Sequence, residues 1–207
     1  DIHPQSLDIS LQGISGQIAT PLGVVELTSP LLGDFNVENL LCAIGAAVAL
    51  ELPPQVISAG LAGCGGVPGR LERIENDRDA VILVDYAHTG DALRRAIEAM
   101  QALAPQRILT VFGCGGDRDR SKRPVMAEVA ARGSDVAIAT SDNPRSEDPE
   151  QILNDVRSGL RKVHAREWDL AEAQIGTGKG YVVIPDRRAA IQFAVKALRP
   201  GDLLLVA

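Results

Sequence analysis

The last two thirds of the chain alternate between short apolar runs and longer amphipathic segments. The apolar runs are rich in Val, Ile and Leu, and the segments between them carry apolar residues at helical spacing. This alternation restricts the fold. Parallel strands are joined by crossover connections that are usually helices, and those helices pack on the faces of the sheet. We expect an α/β domain with a Rossmann-like, doubly wound and mostly parallel sheet.

The predicted elements follow one another in a simple order. Strands are predicted for AVILVDYA, RILTVFG, DVAIAT, YVVIP and DLLLVA, at residues 80–87, 107–113, 135–140, 181–185 and 202–207. Helices are predicted over residues 90–103, 121–132, 149–161 and 186–198. Ligands of doubly wound sheets bind beyond the carboxyl ends of the strands. The polar segments that begin where these strands stop are therefore the candidate binding segments.

The first third has a different pattern. Residues 9–30 mix β-forming residues with Gly and Pro, which predicts hairpin strands of a domain that began upstream. Asp34 or Asn36 can cap a helix that runs through Leu50. Pro residues at 53 and 54 predict a second, short helix that ends near residue 63. A Gly- and Pro-rich linker, CGGVPGR, follows, and we expect one domain over residues 1–67 and another over 68–207.

Composition excludes several classes of protein. The 207 residues are 45% hydrophobic and 23% charged, which is enough apolar material for a core. A net charge of -6 argues against nonspecific nucleic-acid binding, and the longest apolar run, at residues 40–50, is too short to span a membrane. Three widely spaced cysteines form neither a CxxC pair nor a disulfide framework. We expect a soluble, cytoplasmic monomer.

The segment GCGGDRDRSKR, at residues 113–123, is a candidate anion site. It places four cations beside a glycine turn, where backbone N–H groups and guanidinium groups can hold a carboxylate or a phosphate. The four are Arg118, Arg120, Lys122 and Arg123. A solvated charged loop is the alternative. Cys114 lies in this segment without a local histidine to act as its base, so we do not expect a thiol nucleophile.

The segment SDNPRSEDP, at residues 141–149, is a candidate site for a zwitterion. Asp142, Asn143 and Arg145 surround Pro144 and together present an acceptor, an amide and a guanidinium. Asp142 and Arg145 could hold an ammonium and a carboxylate of one ligand. An Asx-turn that leads into the following helix explains the same residues equally well.

Two further pairs could contact a nucleotide. Asp85 and His88 follow a predicted strand and could bind a sugar hydroxyl or a phosphate, although a single histidine is more often structural. Asn36 and Asn39 lie one helical turn apart, so both amides could face one base, with helix capping by Asn36 as the alternative.

Arg70, in PGRLE at the expected domain boundary, is the fifth candidate for nucleotide contact. Its guanidinium could reach a phosphate, while a surface ion pair with Glu72 or Glu75 is the simpler explanation.

Taken in order, GDFNVENLLCAIGAA, PGRLE, VDYAHTGDAL, FGCGGDRDRSKRP and TSDNPRSEDP resemble the Mur ligase family over nearly the whole chain. The resemblance implies an ATP- and Mg²⁺-dependent amide ligase of peptidoglycan synthesis that works through an acyl phosphate. It further implies that meso-diaminopimelate is added to UDP-N-acetylmuramoyl-L-alanyl-D-glutamate. Residues 1–67 would then be the end of a central ATPase-type domain, and residues 68–207 the family's carboxyl-terminal domain.

The resemblance also assigns residues. It places Asn36, Asn39, Arg70, Asp85 and His88 at the nucleotide. It places Arg118, Asp142, Asn143, Pro144 and Arg145 at meso-diaminopimelate.

We expect no catalytic residue or metal ligand in this chain, and no activity from it alone, because it contains no GxxxxGK[ST] phosphate-binding loop. Two alternatives are a related ligase that adds L-lysine or glutamate, and a noncatalytic ligand-binding module.

Overall fold

The computed structural model describes residues 1–164, 166–176 and 178–207. The chain divides into two compact units, Asp1–Leu71 and Glu72–Ala207. The domain boundary predicted between residues 67 and 68 lies a short distance before this division and stays a prediction.

The first unit is a three-stranded antiparallel sheet followed by two helices. The hairpin strands expected at residues 9–30 are present, and the first of them begins earlier, at His3. The elements are β1 (His3–Ser10), β2 (Gly13–Thr20), β3 (Gly23–Ser29), α1 (Phe35–Ala49) and α2 (Pro54–Gly63). Alternate residues of β2 and β3 point to one face, where they form a core with apolar residues of both helices.

Local sequence accounts for both helices. The Asp34 carboxylate accepts a hydrogen bond from the Phe35 N–H and caps α1, so the capping role considered for Asn36 is wrong. Pro54 occupies the first position of α2, where the missing N–H is not needed.

The second unit is a six-stranded sheet covered by helices, in agreement with the predicted α/β class. Five strands are parallel, and only β4 runs antiparallel, at the edge beside β5. The strands are β4 (Glu72–Ile74), β5 (Val81–Val84), β6 (Arg107–Cys114), β7 (Val136–Ser141), β8 (Gly180–Val183) and β9 (Asp202–Val206). The helices are α3 (Gly90–Gln101), α4 (Lys122–Gly133), α5 (Pro149–Leu160), α6 (Leu170–Ile175) and α7 (Arg187–Ala197).

Helices cover both faces of this sheet. Leu109 and Val111 of β6 belong to a buried cluster that includes residues of α6 and α7. Alternate strand residues point to opposite faces, so the equally buried Ile108 and Phe112 face the other layer, where α3, α4 and α5 pack side by side. Burial on both faces explains why the strands are almost continuously apolar.

The strand order β4-β5-β9-β6-β7-β8 fixes where a ligand can bind. The chain passes from β5 to β6 and returns later to insert β9 between them. The carboxyl ends of β5, β6 and β7 therefore lie along one edge, and the polar segments that follow them meet there. In the part of the chain that the structure describes, no helix is long and apolar enough to cross a membrane.

Candidate functional site

A cavity of about 460 Å³ opens at the carboxyl edge of the sheet in the second unit. Its walls come from the segments that follow β5, β6 and β7, as the strand order requires. Its aromatic and charged lining residues are Tyr86, His88, Arg118, Asp119, Lys122, Arg123, Asp142 and Arg145. Four of the residues predicted from sequence, His88, Arg118, Asp142 and Arg145, thus lie around a single cavity.

Two loops that form this cavity are joined by hydrogen bonds. We call residues 115–121 the glycine loop and residues 142–148 the DNPR loop. The Gly116 N–H donates to the Asn143 carbonyl at 2.8 Å, and Arg145 Nη1 donates to the Gly116 carbonyl at 2.5 Å. A Cβ atom on Gly116 would overlap the Pro144 carbonyl oxygen. Glycine at this position therefore allows the loops to approach closely.

The DNPR loop contains residues that line the cavity and residues that hold its backbone in place. Arg145 has a left-handed backbone, with φ of 51°, and its N–H donates to Asn143 Oδ1 at 3.3 Å. This is the local Asx interaction that the sequence suggested as an alternative, and it orients Arg145. Asp142 and Arg145 line the cavity, whereas Asn143 and Pro144 hold the backbone beside Gly116.

The four cations of the glycine-loop segment separate into two pairs. Arg120 and Arg123 form ion pairs with Asp155 of α5, and Arg123 also pairs with Glu147. Arg118 and Lys122 are exposed, line the cavity and have no carboxylate within 4 Å among the described residues. The anion-binding capacity predicted for this segment therefore rests on Arg118 and Lys122.

Cys114 lies in the wall of the cavity as a buried, neutral thiol. Burial raises its pKa to about 12, and its Sγ lies 3.9 Å from the Met126 sulfur. A thiol with this pKa is almost entirely protonated at neutral pH and is a poor nucleophile.

The segment after β5 contributes His88. Its Nδ1 lies 3.0 Å from the Tyr86 carbonyl oxygen, and the centres of the His88 and Tyr86 rings are 5.1 Å apart. The Asp85 N–H donates to the Val206 carbonyl at 2.9 Å, which keeps Asp85 at the end of the sheet, although Asp85 does not line the cavity.

The three remaining candidates lie in the first unit. Asn36 is buried, its Nδ2 donates to the Leu32 carbonyl at 2.7 Å, and its Oδ1 accepts from Asn39 Nδ2 at 2.9 Å. The two amides thus contact each other one helical turn apart, and their contact with a base stays a prediction. Arg70 is exposed near the end of this unit, and its N–H donates to the Val67 carbonyl.

Sequence reasoning missed one contributor to the cavity and one to its support. Tyr86 lines the cavity beside predicted residues, and Glu147 joins the two loops through hydrogen bonds with Asp117 and Arg123. Glu147 stands in SEDP, and only its partnership with Arg123, 24 residues away, would have singled it out. Across residues 1–164, 166–176 and 178–207, no group of three or more His, Cys, Asp or Glu is arranged to hold a metal ion.

Comparisons with known proteins show the family of this chain. Residues 69–207 match the family model described as Mur ligase, glutamate ligase domain. Over its whole length the chain is 49% identical to a UDP-N-acetylmuramoyl-L-alanyl-D-glutamate–2,6-diaminopimelate ligase from Geobacter metallireducens, and it covers 40% of that protein. A solved structure of a ligase of that name matches with a TM-score of 0.67 and 39% identity, over 100% of this chain and 39% of the other.

A more distant match shows the fold alone. A folylpolyglutamate synthase from Mycobacterium tuberculosis superposes with a TM-score of 0.69 at 18% identity, covering 99% of this chain and 45% of that one.

Proposed function

Because this chain belongs to the Mur ligase family, we propose that the complete protein is an ATP-dependent amide ligase of peptidoglycan synthesis. It adds meso-diaminopimelate to UDP-N-acetylmuramoyl-L-alanyl-D-glutamate. The chain spans about 40% of the length of the curated relatives that it matches, so the activity of the whole protein is part of the proposal. The observation that carries it is the cavity in which Asp142 faces the same space as Arg118 and Arg145.

The charges of this cavity suit an amino acid with a second zwitterionic centre. One centre of meso-diaminopimelate supplies the attacking amine. The other carries an ammonium that would donate hydrogen bonds to Asp142 and a carboxylate that Arg145 and Arg118 would bind. L-Lysine has an amine but no carboxylate at that end, so it would leave a guanidinium without its partner. A site that binds a polar group of its substrate strongly rejects an analogue that lacks this group, because polar groups of the protein are then left unpaired.

In the reaction, ATP supplies the phosphoryl group that activates the substrate carboxylate as an acyl phosphate. The residues of this chain then hold the incoming amino acid so that its free amine points at the activated carbon. Positioning of this kind accounts for a large share of the rate in two-substrate reactions. We assign no step to a metal held by this chain, because no group of three or more metal-binding side chains is found among the described residues.

The residues proposed for nucleotide contact are Asn36, Asn39, Arg70, Asp85 and His88. Asn36 donates to the Leu32 carbonyl and accepts from Asn39, so it would also orient the Asn39 amide. A monomeric enzyme that consumes ATP and a UDP-linked precursor would work in the cytoplasm.

The test is phosphate release by the complete protein with ATP, Mg²⁺ and the UDP-muramoyl dipeptide, comparing meso-diaminopimelate with L-lysine and glutamate. We expect turnover with meso-diaminopimelate alone. A preference for L-lysine or glutamate would assign the protein to another ligase of the family. Binding of amino acid without phosphate release from any of them would identify a noncatalytic binding module.

A further inference from the structure

Among the described residues of the second unit, the most completely buried cation is Arg123, which lies in the wall of the cavity. The Arg123 side chain is only 2% exposed, although it stands in the first turn of α4. A charge removed from water needs close partners, and Arg123 has two. Its Nη2 and Nη1 donate to the two oxygens of Glu147 at 2.6 and 3.0 Å, and Nη1 also donates to Asp155 Oδ2 at 2.9 Å.

These contacts connect both loops to the helix layer. Besides the two carboxylates, Arg123 Nη2 donates to the Gly115 carbonyl at 3.3 Å, at the start of the glycine loop. Glu147 belongs to the DNPR loop, and its Oε1 also accepts from the Asp117 N–H at 2.5 Å. One planar guanidinium thus holds Gly115, Glu147 and, through Asp155, α5 in a fixed arrangement.

The charges of this network are stable near neutral pH. The hydrogen bond from Arg123 lowers the pKa of Glu147, and hydrogen bonds from Arg120 and Arg123 lower the pKa of Asp155. The hydrogen bond to Glu147 raises the pKa of Arg123. A lysine at position 123 would keep the charge but lose the fork that reaches three groups at once.

We propose that Arg123 is a positioning residue, which sets the spacing of the glycine loop and the DNPR loop and thereby the affinity of the cavity for the amino acid. It affects ligand binding through Gly115, which belongs to the same loop as Arg118, and through Glu147, which belongs to the same loop as Arg145. The assignment of the ligand as meso-diaminopimelate rests on the proposed function, whereas the network itself rests on the contacts above.

The test uses three variants of the complete protein. Arg123→Lys removes the fork and Glu147→Gln removes its charged partner. Arg157→Lys is the matched control, because Arg157 also pairs with two carboxylates, Glu150 and Glu167, but does not line the cavity. The KM values for meso-diaminopimelate and for ATP are measured for each variant by phosphate release. Calorimetric titration of meso-diaminopimelate gives a second readout that does not depend on turnover.

We expect the first two variants to raise the KM and the Kd for meso-diaminopimelate by about tenfold or more, because small displacements of positioning groups are costly. Their KM for ATP should stay within about twofold of wild type, as should every constant of Arg157→Lys. If both variants merely lower the amount of folded enzyme, with both KM values and the Kd unchanged, Arg123 is structural and the proposal fails. Wild-type binding without phosphate release would refute the ligase function, and the Kd values would still decide the role of Arg123.

Discussion

Cys114 lies in the cavity wall, and its thiol is protonated at neutral pH. Burial is the main cause of its raised pKa of about 12, and the nearby Arg123 opposes it only in part. Cys42 and Cys64, by contrast, are exposed. The three cysteines should therefore differ in reactivity, because the thiolate is the nucleophilic form.

We expect iodoacetamide at neutral pH to alkylate Cys42 and Cys64 in the native protein and to leave Cys114 unmodified. Mass spectrometry of tryptic peptides before and after unfolding in denaturant measures this. Rapid labelling of Cys114 in the native state would show that the cavity wall opens or that the thiol is ionised.

The charged residues of the cavity show what can be predicted from single positions. The sequence placed Arg118, Asp142 and Arg145 at a strand edge, because strand ends and turn residues are local signals. The sequence could not show that Arg118 and Lys122 lack ion-pair partners among the described residues while Arg120 and Arg123 have them. The partners of Arg120 and Arg123 lie between 24 and 35 residues away in the chain.

At the scale of elements, the close approach of α4 and α5 depends on a glycine. A Cβ atom on Gly159 would overlap the Pro124 carbonyl oxygen and lie 2.8 Å from the Ala127 Cβ. Gly60 is also within a helix, α2, but nothing lies within 4 Å of its Cβ position. The same substitution at these two sites should therefore have opposite effects.

Gly159→Ala should destabilise the protein by about 1–3 kcal/mol, because the packed helices must separate. Gly60→Ala should stabilise it by roughly 0.5–1 kcal/mol, because alanine loses less backbone freedom in a helix. Denaturant unfolding followed by circular dichroism measures both. A stabilising Gly159→Ala would contradict the close packing of α4 on α5.

Helix α6 depends on charge at its first turn. The Asp169 side chain accepts from the Glu172 N–H, and the Glu172 side chain accepts from the Asp169 N–H and from Arg166. Hydrogen bonds from Arg166 and from Asp169 lower the pKa of Glu172 from 4.5 to about 2. Since the folded pKa lies below the ordinary value, this carboxylate stabilises the helix above pH 4.5 and progressively less as the pH falls towards 2.

Wild type and Glu172→Gln should therefore differ in thermal midpoint above pH 4.5, and the difference should shrink as the pH falls below that value. Thermal unfolding across this range, monitored by Trp168 fluorescence, measures the effect. A difference that stays constant with pH would show that the Glu172 charge does not contribute.

The elements of the second unit that sequence reasoning missed are the shortest described strand and the shortest described helix. Strand β4 has three residues, and α6 has six, which is too few for a periodic pattern to be recognised. Both depend on neighbours: β4 pairs with β5, and α6 packs against α7 and β8. The longer strands and helices were predicted because their apolar patterns extend over several residues or turns.

In the larger unit of the molecule, β5, β9, β6 and β7 are parallel neighbours, so the segments that follow β5, β6 and β7 all begin at the same edge of the sheet. Strand composition predicted a parallel sheet, but the order of its strands was not accessible, because it depends on contacts between distant segments. That order brings His88 to the same cavity as Arg118, Asp142 and Arg145. We propose that this cavity selects the amino acid.

Substrate selection by Arg145→Ala in the complete protein tests this claim most directly. The measurement is the ratio of kcat/KM for meso-diaminopimelate to that for L-lysine, with Arg94→Ala on the exposed side of α3 as the control. We expect the ratio to fall by about a hundredfold or more in Arg145→Ala and to be unchanged in Arg94→Ala. A ratio that stays at the wild-type value in Arg145→Ala would show that the second carboxylate is recognised elsewhere.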